Sequence, residues 1–260
     1  MGEAERETGL KEENPYLIEG RNPIREALKA DRPLDKILVA RGVWDGSVRQ
    51  IIGIAKERRI VVQEVDRSRL DEISASGNHQ GLIAYGAAHE YVDLEDILEG
   101  ARAKGEDPFL IILDGISDPH NLGSILRTAE CCGAHGVVIP KRRAVGLTPT
   151  VAKASSGAVE YIPVARVTNI AGALESLKKQ GIWIVGADVT GELYYRADLT
   201  GPLALVIGSE GEGMSRLVRE KCDFLVSIPL RGKIESLNAS VAAGILMYEI
   251  TKRRIGKITR

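Results

Sequence analysis

Three stretches of the sequence place glycine-rich or polar residues directly after an apolar run, where a strand would end and a helix would begin. They are LDGISDPHNLGSILRTAE (113–130), IGSEGEGMS (207–215) and IPLRGKIESLNASVAAG (228–244). Because ligands bind outside the carboxyl ends of the strands in open α/β sheets, the three loops predict one shared binding site. Glycine lets backbone amides and carbonyls come close to a ligand, so these loops could present backbone groups to a flat molecule.

The spacing of the reactive residue types excludes several familiar sites. The glycine-rich loop lacks the Gly-Lys-Ser/Thr ending of a P-loop, and Gly211-x-Gly213 is not followed by the third glycine of a dinucleotide fingerprint. The histidines and cysteines show no Cys-x-x-Cys or His-Glu-x-x-His spacing, so no metal site is predicted. A hydrolase elbow, Gly-x-Ser-x-Gly, does not occur either. The residues alone therefore predict a three-loop ligand site and no particular reaction.

Short apolar runs after Pro108 predict the strands that carry these loops. The runs are FLIILD (109–114), GVVIP (136–140), IWIVGAD (182–188), LALVIG (203–208) and FLVSIPL (224–230). Near-continuous apolar strands are buried on both faces, which is typical of parallel sheets covered by helices. Helical patterns alternate with the runs, over 121–132, 148–156, 169–179, 214–220 and about 236–254. The alternation predicts an α/β domain with a largely parallel sheet.

The residues before Pro108 show a smaller α/β pattern of their own. Helices are expected from Asn22-Pro23 to Ala30 and over 48–58, with strands over 36–40, 60–65 and 81–85. A charged stretch with one weak helical pattern over 94–103 separates this part from the apolar runs. We therefore predict a disordered acidic tail (1–14), a small domain (15–90), a linker (91–107) and a main domain (108–260).

Composition places the chain among globular proteins. Hydrophobic residues make up 44% and charged residues 27%, ordinary values that exclude wholesale disorder. No apolar run approaches the roughly 18–20 residues that a membrane span needs, and the acidic N-terminus is unlike a signal peptide. Three cysteines, two of them adjacent, form no sensible disulfide framework and indicate a reducing compartment. We expect a cytoplasmic protein.

The charge balance leaves nucleic-acid binding open. Thirty-five basic and 36 acidic residues give a net charge of −1, so no global field attracts a polyanion. Two basic clusters depart from this balance, Lys141-Arg142-Arg143 and the C-terminal KRRIGKITR. Such runs are usually solvated faces, but near-neutral proteins can bind RNA through local patches.

Three long segments carry a resemblance to a known family. NLGSILRTAECCGAHGVVIP, LALVIGSEGEGMSRLV and FLVSIPLRGKIESLNASVAAGILMYE resemble, in order and spacing, the successive motifs of the SpoU (TrmH-like) RNA 2′-O-ribose methyltransferases of the SPOUT superfamily. EGRNPIREAL (19–28) and HQGLIAY (79–85) resemble the family's small ribosomal-protein-like substrate-binding domain. The two-domain layout is similar to the subgroup that methylates a guanosine ribose in large-subunit (23S) ribosomal RNA. The resemblance also implies a deep trefoil knot, which general rules of chain topology would not predict.

The resemblance implies specific roles for residues of the three loops. S-adenosylmethionine (SAM) is the implied cofactor, contacted by Gly208, Ile228 and Leu237, with Ile207, Pro229 and Leu230 lining its adenine slot. The implied active-site residues are Asn121, Arg127, Glu210, Ser236 and Asn238. Arg127 is expected to bind the target phosphate and hold the ribose hydroxyl, because arginine itself is a poor base. Asn121 and the Ser236/Asn238 pair could instead cap helices.

The implied partners are structured RNA, as 23S rRNA or a ribosome precursor, and a second copy of the chain, with no role for DNA or a membrane. Small residues of the final helix could pack against that copy or within the chain, namely Ala239, Ala242, Ala243 and Gly244. Candidate phosphate contacts in the N-terminal domain are Arg21, Arg25, Arg41, Arg49, Arg58 and Arg59.

Three other functions stay open at this point. A transfer RNA could be the substrate, although such family members tend to lack a separate N-terminal domain. The chain could be a catalytically silent RNA-binding or ribosome-assembly factor, which the intact set of active-site residues disfavours. A nucleotide-dependent oxidoreductase is disfavoured by the incomplete glycine fingerprint.

Overall fold

The computed structural model describes residues 16–258, and the chain divides into two compact units between Ala87 and Ala88. The predicted acidic tail, 1–14, lies outside the described residues. Among the described residues, no helix is both long and apolar enough to cross a membrane.

The first unit is a four-stranded mixed sheet with helices packed against it. Its elements are β1 (Leu17–Glu19), α1 (Arg21–Lys29), β2 (Leu34–Ala40), α2 (Gly46–Glu57), β3 (Val61–Val65), α3 (Arg67–Ile73) and β4 (Leu82–Gly86). The strand order is β1-β4-β2-β3, with β2 and β3 parallel and the other pairs antiparallel. Apolar residues of α1 and α2, including Leu28 and Ile51, are fully buried against the sheet. Sequence periodicity predicted every element of this unit except β1 and α3.

The second unit is a six-stranded, entirely parallel sheet with helices on both faces. Its elements are α4 (Leu94–Ala103), β5 (Phe109–Asp114), α5 (Pro119–Cys131), β6 (Gly136–Pro140), α6 (Pro149–Ala154), β7 (Val164–Val167), α7 (Ile170–Lys179), β8 (Trp183–Leu193), β9 (Leu203–Gly208), α8 (Arg216–Lys221), β10 (Phe224–Ser227) and α9 (Ala239–Ile258). The strand order is β10-β8-β9-β5-β6-β7. The parallel-sheet prediction is confirmed.

Alternate residues of the strands enter two separate cores, which explains why the strands are apolar throughout. In β5, Ile111 lies in the core with α5 and α9, whereas Ile112 lies in the core with α4, α7 and α8. Both side chains are fully buried. Each buried side chain of this size contributes about 1.5–3 kcal/mol, so a central strand stabilises both layers at once.

The segment 91–107, predicted as a linker, is packed into the second unit. A capping box between Asp93 and Asp96 starts α4, whose Ile97, Leu98 and Ala101 are buried in the core. Two other elements also differ from the sequence pattern. β10 ends at Ser227, so residues 228–238 form a loop without regular structure, and the short strand β7 was not predicted.

Helix α9 is held to the sheet by its small residues and by a basic side chain. Ala239 and Ala243 are buried in the chain's own core, and Gly244 faces Thr128 of α5. Arg254 donates hydrogen bonds to the carbonyls of Pro108 and Gly201, at 3.0 and 2.7 Å. Ala239, Ala243 and Gly244 therefore pack within the chain, and part of the C-terminal basic cluster is structural. The trefoil knot stays a prediction of the resemblance.

Candidate functional site

A chain of side-chain hydrogen bonds joins the three predicted loops at the carboxyl edge of the parallel sheet. Asn121 of α5 donates from Nδ2 to Oε1 of Glu210 at 2.6 Å, and its Oδ1 accepts from Nδ2 of Asn238 at 2.9 Å. Asn121 is buried, with 6% of its surface exposed, so its amide needs hydrogen-bond partners within the protein. Glu210 and Asn238, from the other two loops, are those partners. The three residues are brought together although 117 positions separate Asn121 from Asn238.

Helix capping assigns different tasks to the two asparagines. Asp118 is the N-cap of α5 and accepts from the amide of His120 at 2.8 Å, so Asn121 is free for the contacts described above. Asn238 caps α9, because its Oδ1 accepts from the backbone amides of Ser240 and Val241, at 2.9 and 3.3 Å. Its Nδ2 remains available to Asn121. The capping alternative is therefore wrong for Asn121, whereas Asn238 both caps a helix and joins the chain.

The loop that carries Glu210 is closed tightly on itself. Ser209 and Gly213 exchange backbone hydrogen bonds of 3.0 and 3.1 Å. A Cβ atom on Gly208 would lie only 2.1 Å from the carbonyl carbon of Gly213, so any side chain at this position would push the turn open. Gly208 thus lets β9 end in a compact turn that presents Glu210 to Asn121.

Arg127 lies on an exposed part of α5, two turns beyond Asn121. Its Nη1 donates to Oγ of Ser156 at 3.3 Å. No carboxylate pairs with it among residues 16–255, whose side chains the structure describes. The guanidinium is therefore steadied by a neutral hydroxyl and keeps donors available for a phosphate or another anion.

A small cavity of about 130 Å³ lies between the end of β10, the middle of β8 and the start of α9. Of the predicted cofactor contacts, Ile228, Leu230 and Leu237 line it, together with the predicted active-site residue Ser236. Gly208, Ile207 and Pro229 are not among its lining residues. Ile207 is buried in the core of the unit, and Pro229 is exposed. Apolar side chains that stay partly exposed around a cavity are suited to a flat apolar ligand.

Sequence reasoning missed the contribution of β8 to this cavity. Ala187, Asp188 and Val189 line it. Partial burial raises the pKa of Asp188, but hydrogen bonds from Thr190 and Arg219 more than offset this and hold the pKa below its usual value. The cavity therefore contains a fixed carboxylate. The sequence carries a signal for this residue, since the apolar run IWIVGAD ends on Asp188, at the end of a fourth strand pattern.

The arginines of the first unit are mostly engaged in contacts inside that unit. Arg21 pairs with Asp45 at 2.6 Å, Arg41 with Asp66 at 3.1 Å and Arg58 with Asp31 at 2.7 Å; Arg25 donates to Ser47 at 2.8 Å. Exposed pairs of this kind contribute little to stability and can rearrange on a polyanion. No group of three or more His, Cys, Asp or Glu side chains in the described part of the chain could hold a metal ion.

Comparison with family models assigns a family to each unit. Residues 17–92 match the model described as RNA 2′-O ribose methyltransferase substrate binding. Residues 108–248 match the model of the SpoU rRNA methylase family. The second match includes every candidate site residue.

Comparisons with individual proteins point to the same family as the family models. The chain is 55% identical to a Bacillus subtilis protein, YacO, that is named for the TrmH family of tRNA/rRNA methyltransferases, over 94% of this chain and 98% of the other. Among solved structures it is similar to the SpoU methyltransferase AviRb from Streptomyces viridochromogenes in complex with the cofactor AdoMet. That match has a TM-score of 0.59 and 28% identity, over 92% of this chain and 90% of the other. It is also similar to the TrmH/SpoU tRNA modifying enzyme of A. aeolicus, with a TM-score of 0.53 and 27% identity, over 63% of this chain and 85% of the other.

Proposed function

The chain belongs to the SpoU rRNA methylase family, and from that premise we propose that it transfers the methyl group of SAM to the 2′-oxygen of a ribose in RNA. The observation that carries the proposal is the hydrogen-bond chain Glu210–Asn121–Asn238, which ties the three loops into one polar site. The cavity adjoins this site, because Ser236 and Leu237 line it and directly precede Asn238.

The residues around the cavity fit the adenosine part of SAM. Its volume of about 130 Å³ is below the roughly 300–1,000 Å³ of a site for a whole drug-sized ligand. A space of this size suits one flat ring, with the apolar side chains of Ile228, Leu230 and Leu237 along its lining. When bound, SAM supplies an electrophilic methyl group attached to a positively charged sulfur.

The chain's own residues would supply position and charge. A ribose hydroxyl is a weak nucleophile, and holding two reactants in line can provide about 7–11 kcal/mol of the barrier. Arg127 would hold the target phosphate and the hydroxyl oxygen, where its donors favour the developing negative charge. The proton would pass to that phosphate or to a water, because a guanidinium stays protonated. The Glu210–Asn121–Asn238 chain would keep the loops in the geometry that the transfer needs.

A guanosine of large-subunit rRNA is the substrate we propose. Support comes from the first unit, which matches a substrate-binding model, and from the name of the family that the second unit matches. The A. aeolicus enzyme, named as tRNA-modifying, is covered over 85% of its length by only 63% of this chain. A transfer RNA substrate is the second candidate, since the Bacillus subtilis relative is named for both kinds of RNA.

The experiment uses methyl-labelled SAM with unmodified large-subunit, small-subunit and bulk transfer RNA. Label in large-subunit RNA alone is the expected result. Label in transfer RNA would retain the reaction and replace the substrate. If the protein still binds SAM but labels none of the RNAs, the result would contradict the proposed methyltransferase activity and favour a catalytically silent assembly factor.

We further propose that the enzyme is a homodimer that uses the exposed face of α9. Val241, Tyr248 and Ile255 lie at intervals of about two helical turns and are 50%, 56% and 59% exposed. Large apolar side chains arranged in a stripe on one helix face are typical of an interface. A second copy of the chain would cover this stripe.

A further inference from the structure

A second, larger cavity lies at the same edge of the parallel sheet. Its volume is about 560 Å³, and the loops after β5, β6, β7 and β9 line it. This volume falls within the roughly 300–1,000 Å³ range of ligand sites. The cavity is separate from the small cavity beside Leu237, with which it shares no lining residue. The methyl transfer described above assigns no role to it, although Arg142 and Arg143 of the basic cluster and part of the glycine-rich loop line it.

Two adjacent arginines line this cavity without a carboxylate partner. Arg142 and Arg143 follow β6, and neither makes an ion pair or side-chain hydrogen bond with any other residue that the structure describes. In this they differ from Arg21, Arg41 and Arg58 of the first unit, each of which pairs with an aspartate. Exposed arginines with free donors are the side chains that bind phosphate in a bidentate manner.

The other charged groups of the cavity leave these arginines available. Asp114 also lines it, but its Oδ2 accepts a hydrogen bond from the backbone amide of Ser215 at 2.7 Å. Arg216 adds a third positive charge and lies 3.8 Å from Glu220, a long and exposed pairing. Glu212 is exposed on the glycine-rich loop. The lining thus holds three arginines against two carboxylates, one of which is occupied.

One loop borders both the cavity and the proposed reaction site. Ser209, Glu212 and Gly213 line the cavity, and Glu210 of the same turn accepts the hydrogen bond from Asn121. A ligand held by Arg142 and Arg143 would therefore border the same turn that presents Glu210 to Asn121. An RNA strand that passes the reaction site carries a phosphate at every nucleotide, and basic side chains around the site can bind the phosphates next to the target.

We propose that this cavity binds a backbone phosphate of the RNA substrate, next to the nucleotide that is methylated, with Arg142 and Arg143 as the principal contacts. The inference rests on the proposed function and extends it to a defined second anchor for the RNA. An arginine pair of this kind contributes affinity and register and carries no base specificity.

The test compares two double variants that remove the same charge. Arg142→Gln/Arg143→Gln changes the cavity, and Lys104→Gln/Lys179→Gln removes two exposed charges elsewhere on the second unit. With unmodified large-subunit RNA, we expect the cavity variant to raise the KM for RNA about tenfold or more, with kcat and SAM affinity unchanged. We also expect a weaker salt dependence of RNA binding, measured without SAM between about 50 and 200 mM salt. The plot of log affinity against log salt concentration should be less steep than that of the wild type by about 1–2.

Each outcome decides one of the two proposals. A cavity variant that matches the lysine variant in KM and salt slope would overturn the phosphate site while leaving methyl transfer intact. A loss of kcat with unchanged RNA affinity would also overturn it, because the arginines would then act in the reaction itself. If the wild-type protein transfers no methyl group, the RNA-binding measurement without SAM still tests the phosphate site. A weaker salt dependence of RNA binding in the cavity variant, and not in the lysine variant, would then support the phosphate site although the proposed methyl transfer had failed.

Discussion

Asn121 and Glu210 are joined by a 2.6 Å hydrogen bond between side chains that lie 89 positions apart in the sequence. The same amide accepts from Asn238, so one buried side chain links the helix after β5, the turn after β9 and the start of α9. An amide that serves both as donor and as acceptor cannot be replaced without leaving a polar group unpaired. This arrangement makes Asn121 the element that positions the other two loops.

Replacement of Asn121 is therefore predicted to slow the reaction without abolishing RNA binding. In Asn121→Ala, Glu210 and Asn238 both lose a partner and the loops lose their common orientation. A displacement of about 1 Å can cost about 10²-fold in rate, so we expect kcat to fall by that order while the RNA Kd is retained. Single-turnover kinetics with labelled SAM measure this. Glu99→Ala, an exposed substitution on α4, is the control; equal rates in the two variants would contradict the positioning role.

Arg127 is predicted to be needed for methyl transfer and not for cofactor binding. It does not line the small cavity beside Leu237, and its one side-chain hydrogen bond among the described residues goes to Ser156. Arg127→Ala should lower kcat by about 10²–10³ or more, as for the loss of one donor to a developing oxyanion. Arg127→Lys should restore little, since an ammonium lacks the planar fork. Calorimetric SAM binding should match the wild type in both, and Arg102→Ala on α4 should retain activity. Full activity of Arg127→Ala would remove this residue from the mechanism.

Gly208 is predicted to be irreplaceable for steric reasons. The added Cβ in Gly208→Ala would meet the backbone of Gly213 at 2.1 Å, whereas Gly211→Ala, in the same turn, would have no atom within 4 Å. We expect Gly208→Ala to lower the free energy of unfolding by about 1–3 kcal/mol and to weaken activity. The free energy of unfolding of Gly211→Ala should lie within about 0.5 kcal/mol of the wild-type value. Urea unfolding of the two variants measures the difference, and equal stability would show that the turn can open without strain.

The homodimer is predicted to depend on the exposed stripe of α9. Val241→Glu/Tyr248→Glu should convert a particle of twice the 28.1 kDa chain mass into a monomer, because burying two carboxylates opposes association. Trp183→Glu, which replaces an aromatic residue that is 57% exposed outside α9, should leave the dimer intact. Light scattering at micromolar protein distinguishes the states. A wild-type monomer, or a double variant that stays dimeric, would exclude this interface.

The meeting of the three loops could be predicted from the sequence because parallel strands end at one edge of their sheet. The individual contacts could not. Nothing in the local pattern indicates that Asn121 pairs with Glu210 and leaves the N-cap of α5 to Asp118. That choice depends on the distance between strands that are adjacent in space and remote in sequence.

The errors in the fold have similar physical origins. Short elements such as β1 and β7 hold too few residues for a periodic pattern and form through pairing with neighbours. The α4 segment was expected to be a linker because its surface is charged, yet its Ile97 and Leu98 complete the core. The small residues of α9 allowed two kinds of packing, and Ala243 turned out to lie fully buried in its own chain.

The central claim is that this site methylates a ribose oxygen, and nucleoside analysis of the product tests it most directly. Unmodified large-subunit RNA would be treated with the enzyme and SAM, digested to nucleosides and examined by mass spectrometry, with Arg127→Ala protein as the control. We predict 2′-O-methylguanosine from the wild-type reaction and, over the same reaction time, at least about 100-fold less from the variant. A methyl group on a base, or equal amounts of 2′-O-methylguanosine from both proteins, would contradict the account.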